Sequence, residues 1–259
     1  MHPLVARMRM PVAAGLLALV ALFAHAEQRY FTYSYEPKVL PKGAIELEQW
    51  GTMRNGRDGL YTRWDIRNEF EIGLTDRVTT ALYLNWTNKW VPEKNLNSTY
   101  FRGWSSEWKV KLLDPTADPI GVLLYGEIAG DRREWEAETK LVLGKTFGNV
   151  IAVVNAVFEN EWKTKLAEDD SNASEIETEQ VYEATAGVSY RWTRIALGLE
   201  ARSHTIVEEG ESYSAFFAGP VVQLSGPRWW ATFTLLVQTT NELDAHERTE
   251  SRLILGIDL

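Results

Sequence analysis

Charged and apolar residues alternate with a two-residue period along much of the chain, most plainly in YTRWDIRNEFEIGLTDR, residues 61–77. Arg63, Asp65, Arg67, Glu69 and Glu71 fall on one face of an extended strand there, and Trp64, Ile66, Phe70 and Ile72 on the other. Such alternation bounded by turn residues predicts strands at about 43–53, 61–73, 78–88, 101–113, 120–129, 135–144, 150–162, 179–190, 194–204, 213–224, 229–239 and 249–258. That makes twelve, an even number. The links between them alternate in length. Short ones such as LTDR (74–77), DPTADP (114–119) and SGPR (225–228) are rich in turn formers. Most of the others are longer, at 54–60, 89–100, 163–178, 205–212 and 240–248, with 130–134 the exception.

The first 26 residues stand apart from this pattern. Arg7 and Arg9 precede an apolar run from Pro11 to Phe23, and Ala24-His25-Ala26 follows, so a secretory signal cleaved after Ala26 is expected. The run is too short for the roughly 20 residues of a spanning helix. Removing the signal takes the formal charge from -9 to about -11, which argues against a nucleic-acid partner. An exported chain with no cysteine has no disulfide framework, so the fold must hold itself by packing and pairing.

Alternation alone is ambiguous, because a soluble sheet also has one polar face. The export signal, the unequal rims and the position of the aromatics favour a membrane barrel. Trp192, Trp229 and Trp230 sit at short turns, while Trp86, Trp90, Tyr100, Trp135 and Trp162 sit toward the long-link ends, as interfacial girdles do. The expected fold is all-β: a closed antiparallel transmembrane β-barrel of about twelve strands over residues 43–259, with short periplasmic turns and longer extracellular loops. Residues 27–42 form a periplasmic lead-in. Its aromatic stretch YFTYSYEPKVLPKG (30–43) lies against the rim or enters the lumen, and sequence leaves both open.

In such a barrel the apolar face meets lipid and the charged face lines the lumen. Candidate lining residues for transport are Arg63, Asp65, Arg67, Glu69, Glu107, Lys109, Glu136, Glu138, Glu200 and Arg202. Inward acids outnumber inward bases, which would favour cations or neutral polar solutes over anions. The same side chains could instead brace the wall through cross-strand pairing.

The stretch NEFEIGLTDRVTTALYLNW (68–86) resembles the repeated hairpin of porin-like outer-membrane barrels grouped with the family named for the MetA pathway of phenol degradation. The resemblance covers residues 41–90 sharply and the rest only in architecture. It implies a transport or channel function without a defined solute, and it assigns no site residues. Leu259 departs from the terminal Phe common in outer-membrane barrels.

An outer-membrane lipid-modifying enzyme is the first alternative. It would need a base, and the chain after Ala26 offers only His204 and His246. Ser203 and His204 are strand neighbours on opposite faces and cannot form a nucleophile–base pair. A non-conducting structural or soluble β-sheet protein is the second. The acidic link with Glu168, Asp169, Asp170, Asn172 and Glu175 lacks the frame of a calcium loop and reads as solvated. The expectation is therefore a narrow passive channel for small polar or cationic solutes in a Gram-negative outer membrane. No enzymatic activity, cofactor or metal is expected of it. Its partners would be outer-membrane lipids, lipopolysaccharide, the barrel-assembly machinery and small solutes.

Overall fold

The computed structural model describes residues 28–166 and 174–259. The expected signal (1–26) and the core of the acidic link, with Glu168, Asp169, Asp170 and Asn172, lie outside the described residues, as does the side chain of Glu175. Twelve strands follow one another: β1 (Ile45–Arg57), β2 (Gly59–Thr75), β3 (Val78–Val91), β4 (Leu96–Leu113), β5 (Gly121–Gly130), β6 (Glu134–Phe147), β7 (Val150–Leu166), β8 (Ser174–Arg191), β9 (Ile195–Glu208), β10 (Glu211–Ser225), β11 (Trp229–Gln238) and β12 (Thr249–Asp258). Each pairs antiparallel with its chain neighbours, and β1 closes the ring on β12, with Trp50 opposite Ile254. Closure leaves no strand edge, so the ladder satisfies the wall's backbone groups without solvent.

All twelve predicted strands are present, and several are longer than their sequence pattern suggests. Pairing runs on to Arg57 opposite Gly59, Val91 opposite Leu96 and Glu208 opposite Glu211, so most of the long links are tall hairpins. Alternation fades in these segments because both faces are wet, yet the ladder continues regardless. The link from Thr239 to Arg248 is different: it folds inward and buries His246 and Glu247.

Sidedness follows the two-residue period. Trp64, Ile66 and Phe70 point outward at 42%, 41% and 44% exposure, while Glu69 and Glu71 are buried inside. Leu82, Leu84, Leu124, Leu197, Leu199 and Leu255 extend this outward apolar surface around the ring. The soluble-sheet alternative required Trp64, Ile66 and Phe70 to be covered by a second layer, and they are uncovered. Trp230 corrects the girdle expected at the turns: its neighbour Trp229 faces out, but Trp230 is fully buried in the lumen and donates its indole N–H to Glu46 at 2.7 Å.

One irregularity matters for the interior. Trp86 pairs with Phe101 but Asn85 pairs with Gly103, so β4 carries an extra residue, with Gly103 at φ +99. A Cβ there would lie 2.1 Å from the Gly130 carbonyl oxygen, which leaves glycine as the residue that fits. The bulge reverses the parity above it and brings Arg102 to the interior.

Candidate functional site

The lead-in runs inside the barrel. Tyr30, Phe31, Thr32, Tyr33, Ser34, Tyr35 and Glu36 are all 5% exposed or less. The segment meets the turn rim at Lys42, whose amide donates to Asp76 Oδ1, and at Gly43, whose amide donates to the Gly73 carbonyl. Sequence had left its place open between rim and lumen, and the periplasmic placement gives way to a lumenal one. A closed barrel offers no ladder edge, so this extended chain depends on side chains for its backbone bonds. Glu200 supplies three of them: its carboxylate accepts the amides of Thr32 (3.2 Å), Tyr33 (2.8 Å) and Ser34 (2.5 Å), and also the hydroxyl of Thr234 (2.8 Å). Asn155 accepts from the Tyr35 amide at 2.6 Å and donates to the Tyr35 carbonyl at 3.1 Å, as a neighbouring strand would. Thr79 receives the Leu40 amide at 2.9 Å, and Arg252 donates to the Thr32 carbonyl at 3.0 Å.

Apolar packing completes the plug. Tyr30 and Phe31 lie with Ile151, Val153, Ala196 and Val221, whereas Tyr33 lies with Ala215, Phe217 and Leu236. Tyr35 and Val39 join Trp50, Leu123, Tyr125, Val142, Trp230 and Ile254. Space is left for these groups by inward glycines. A Cβ on Gly187 would come within 2.5 Å of the Phe31 ring, and one on Gly121 or Gly144 within 2.6 or 2.8 Å of Pro37. The Arg29 guanidinium stacks over the rings of Tyr35 and Trp50, at 4.0 and 4.5 Å from their centroids. Burial pushes the Tyr33 phenol well above its ordinary range, so it stays neutral.

Above the plug, toward the hairpin rim, lies a cavity of about 710 Å³. Its walls are charged, and the charges are sorted by strand. Among the described residues, β1 to β4 contribute six cations (Arg54, Arg57, Arg63, Arg67, Lys89 and Arg102) and one acid, Asp65. The next arc, β5 to β8, contributes six acids (Glu127, Glu134, Glu136, Glu159, Glu161 and Glu179) and one cation, Lys163. Where the arcs meet, Arg67 pairs with Glu127 at 2.5 Å and Arg102 with Glu134 at 2.6 Å. The last four strands are mixed, and there Arg202 bridges Glu183 (2.5 Å) and Glu250 (2.8 Å).

The ten predicted lining residues divide by height. Arg63, Asp65, Arg67, Glu136 and Arg202 face the cavity. Glu69, Glu107, Lys109, Glu138 and Glu200 lie outside its lining and belong to the packed half. Glu69 accepts from the Trp50 indole at 3.0 Å, and Glu107 from the Tyr83 hydroxyl at 2.5 Å. Lys109 sits 2.5 Å from Glu71 and 3.3 Å from Glu107, Glu138 pairs with Lys140 at 2.8 Å, and Glu200 holds the plug. Pairing that braces the wall runs through both levels, since Arg67 and Arg202, which face the cavity, are themselves held in cross-strand ion pairs. Lys89 and Arg102 are not among the residues read as inward from sequence; Gly103 within a strand is the sign of the bulge that turns Arg102 inward.

Among the described residues, two acidic groups have cation-holding geometry. Glu69, Glu71 and Glu107 lie close together, but the Lys109 ammonium already occupies their midst. Glu136, Glu159 and Glu161 bring carboxylate oxygens within 4.8 Å of one another at the cavity wall. His204, the base of the enzyme alternative, faces the same cavity, and its Nδ1 lies 2.9 Å from His246 Nε2. His246 Nδ1 lies 2.5 Å from Glu242. Burial works to raise the Glu242 carboxyl, but the bonds from His246 and the Ala245 and Asp244 amides outweigh it and hold the group below its usual range.

The profile of a family described as "Family of unknown function (DUF6662)" matches residues 23–257. No curated protein sequence matches the chain. The fold is similar to the COG4313 outer membrane channel from Pseudomonas putida F1, with TM-score 0.65 and 12% identity over 88% of this chain and all of that one. It is also similar to the beta domain of the Bordetella autotransporter BrkA, with TM-score 0.58 and 10% identity over 84% of this chain and all of that one. A third similar structure is the NanC porin, with TM-score 0.56 and 10% identity over 82% of this chain and all of that one.

Proposed function

We propose that this chain, which belongs to the family of unknown function DUF6662, is a channel of the Gram-negative outer membrane that passes small polar or cationic solutes. One observation carries the reading: a closed twelve-stranded ring turns its apolar positions outward, Trp64, Ile66 and Phe70 among them, and keeps its charges within. In water that surface would be an aggregation liability, whereas against acyl chains it is the ordinary outer face of a barrel. Similarity in fold to an outer membrane channel and to a porin supports the assignment. The hairpin's resemblance to the phenol-pathway family agrees with it and adds no solute.

In this reading the protein is exported by a cleaved signal, inserted by the barrel-assembly machinery and surrounded by lipid and lipopolysaccharide, with the turns in the periplasm. Solutes enter the charged cavity from the outer rim. They continue only when residues 28–40 leave the turn-side half, because that segment fills it. Diffusion selected by width and charge is the whole mechanism, and no bond is made or broken. Reconstitution of the purified chain into a planar bilayer tests this: small or infrequent steps from the intact chain, and larger ones after deletion of residues 28–40, are expected. Silence from both forms, with carbonate extracting the protein from membranes, would overturn it.

A further inference from the structure

We infer that the cavity is a binding site for small zwitterions, solutes that carry an anionic and a cationic group on one short frame. The inference rests on the channel reading and names its solute class. A lining with evenly mixed charges would cancel over a few ångströms, since each ion would meet its opposite next door. Here the sorting is regional: six cations against one acid on β1 to β4, and six acids against one cation on β5 to β8. In a ring whose strands follow one another in order, the centres of the two arcs are about a third of the circumference apart, so a field runs across the cavity.

Part of each arc is already neutralised. Arg54 and Arg63 share Asp65, Arg54 also nears Glu250, Arg57 pairs with Glu247, Arg67 with Glu127, Arg102 with Glu134, and Lys163 with Glu161 and Glu179. Lys89 on the basic arc and Glu136 and Glu159 on the acidic arc form no ion pair with another described residue, and all three face the cavity. A carboxylate presented to Lys89 and Arg63 and an ammonium presented to Glu136 and Glu159 would meet both surpluses at once. A lone anion or a lone cation meets one and is repelled by the other. The orientation is fixed as well, with the anionic end toward β2 and β3.

Calorimetric titration of the intact refolded chain in detergent at low ionic strength tests this with three probes of one length: 6-aminohexanoate, hexanoate and hexylammonium. The amino acid should bind at least about tenfold more tightly than either single-charge probe, equivalent to about 1.4 kcal/mol. Glycine and 8-aminooctanoate should differ from it in affinity, because the separation of the two arcs sets the best charge spacing. Lys89→Gln should weaken 6-aminohexanoate and raise the relative affinity of hexylammonium, and Glu136→Gln should weaken it and raise that of hexanoate. Equal binding of the three probes to the unaltered chain would overturn the inference whatever the variants do. Conductance of the same preparation reports separately: steps without a zwitterion preference leave the channel and sink the site, and a preference without steps does the reverse.

Discussion

Replacing Glu200 with alanine removes the acceptor shared by three consecutive plug amides, at 3.2, 2.8 and 2.5 Å. Thr32, Tyr33 and Ser34 would then hold buried N–H groups with no ladder to turn to, since the barrel is closed around them. A hydrogen bond to a charged group is worth roughly 1.5–3 kcal/mol, and a buried donor left unmatched costs about 1–3 kcal/mol. Water from the cavity above would relieve some of this, so the low end is the sound figure: about 1 kcal/mol per amide, or about 3 kcal/mol for the plug. That corresponds to roughly a hundredfold greater population of the undocked segment. Hydrogen exchange followed by mass spectrometry reads it directly, with the amides of residues 32–34 exchanging roughly a hundredfold faster in Glu200→Ala while those of β6 and β7 keep their protection. Glu200→Gln keeps one neutral acceptor and should fall between. Unchanged protection of the plug amides in Glu200→Ala would refute the reasoning, because it would mean that apolar packing alone holds the segment.

Other perturbations separate the two halves of the lumen. Phe31→Ala empties a site packed by Ile151, Val153, Ala196 and Val221, and by the usual cost of large core truncations should weaken plug docking by about 3–5 kcal/mol, seen as larger bilayer conductance. Reversal potentials in a salt gradient should show that Glu136→Gln lowers cation preference, whereas Glu138→Gln, below the cavity and paired with Lys140, leaves it unchanged. Asp114 caps a turn, accepting from the Thr116 hydroxyl and from the Thr116 and Ala117 amides, and these bonds hold its carboxyl down at about 2. A depressed carboxyl stabilises the fold above its unfolded value near 4 and loses that contribution as pH falls through about 2. Asp114→Asn should therefore lower the urea midpoint at pH 6 and converge with the parent chain near pH 2.

Most of the wall was legible in the sequence because its signal is local. Each strand's period of two decides which side chains face in, and in Arg63 to Ile72 that pattern is uninterrupted. Legibility ended where position depends on something distant. Trp230 reads as a rim aromatic by its place beside a turn, but parity with Trp229 and the presence of Glu46 put it inside. Arg102 reads as outward until the Gly103 bulge is counted. The lead-in has no periodicity of its own: its route is set by Glu200 and Asn155, more than a hundred residues along the chain. The sorting of charge into arcs was equally hidden, since it emerges only when non-adjacent strands are laid side by side around a ring.

The glycines beneath the plug carry a further meaning. Gly121, Gly144 and Gly187, together with Ala196, keep the wall thin on the turn side, where Phe31 and Pro37 now sit. In the channel reading, withdrawal of the segment would empty the space beside these small residues, while Arg67, Glu127 and Arg202 above would stay held in their ion pairs. In that reading, withdrawal of the segment would decide whether anything crosses, and the wall's paired charges would decide what does.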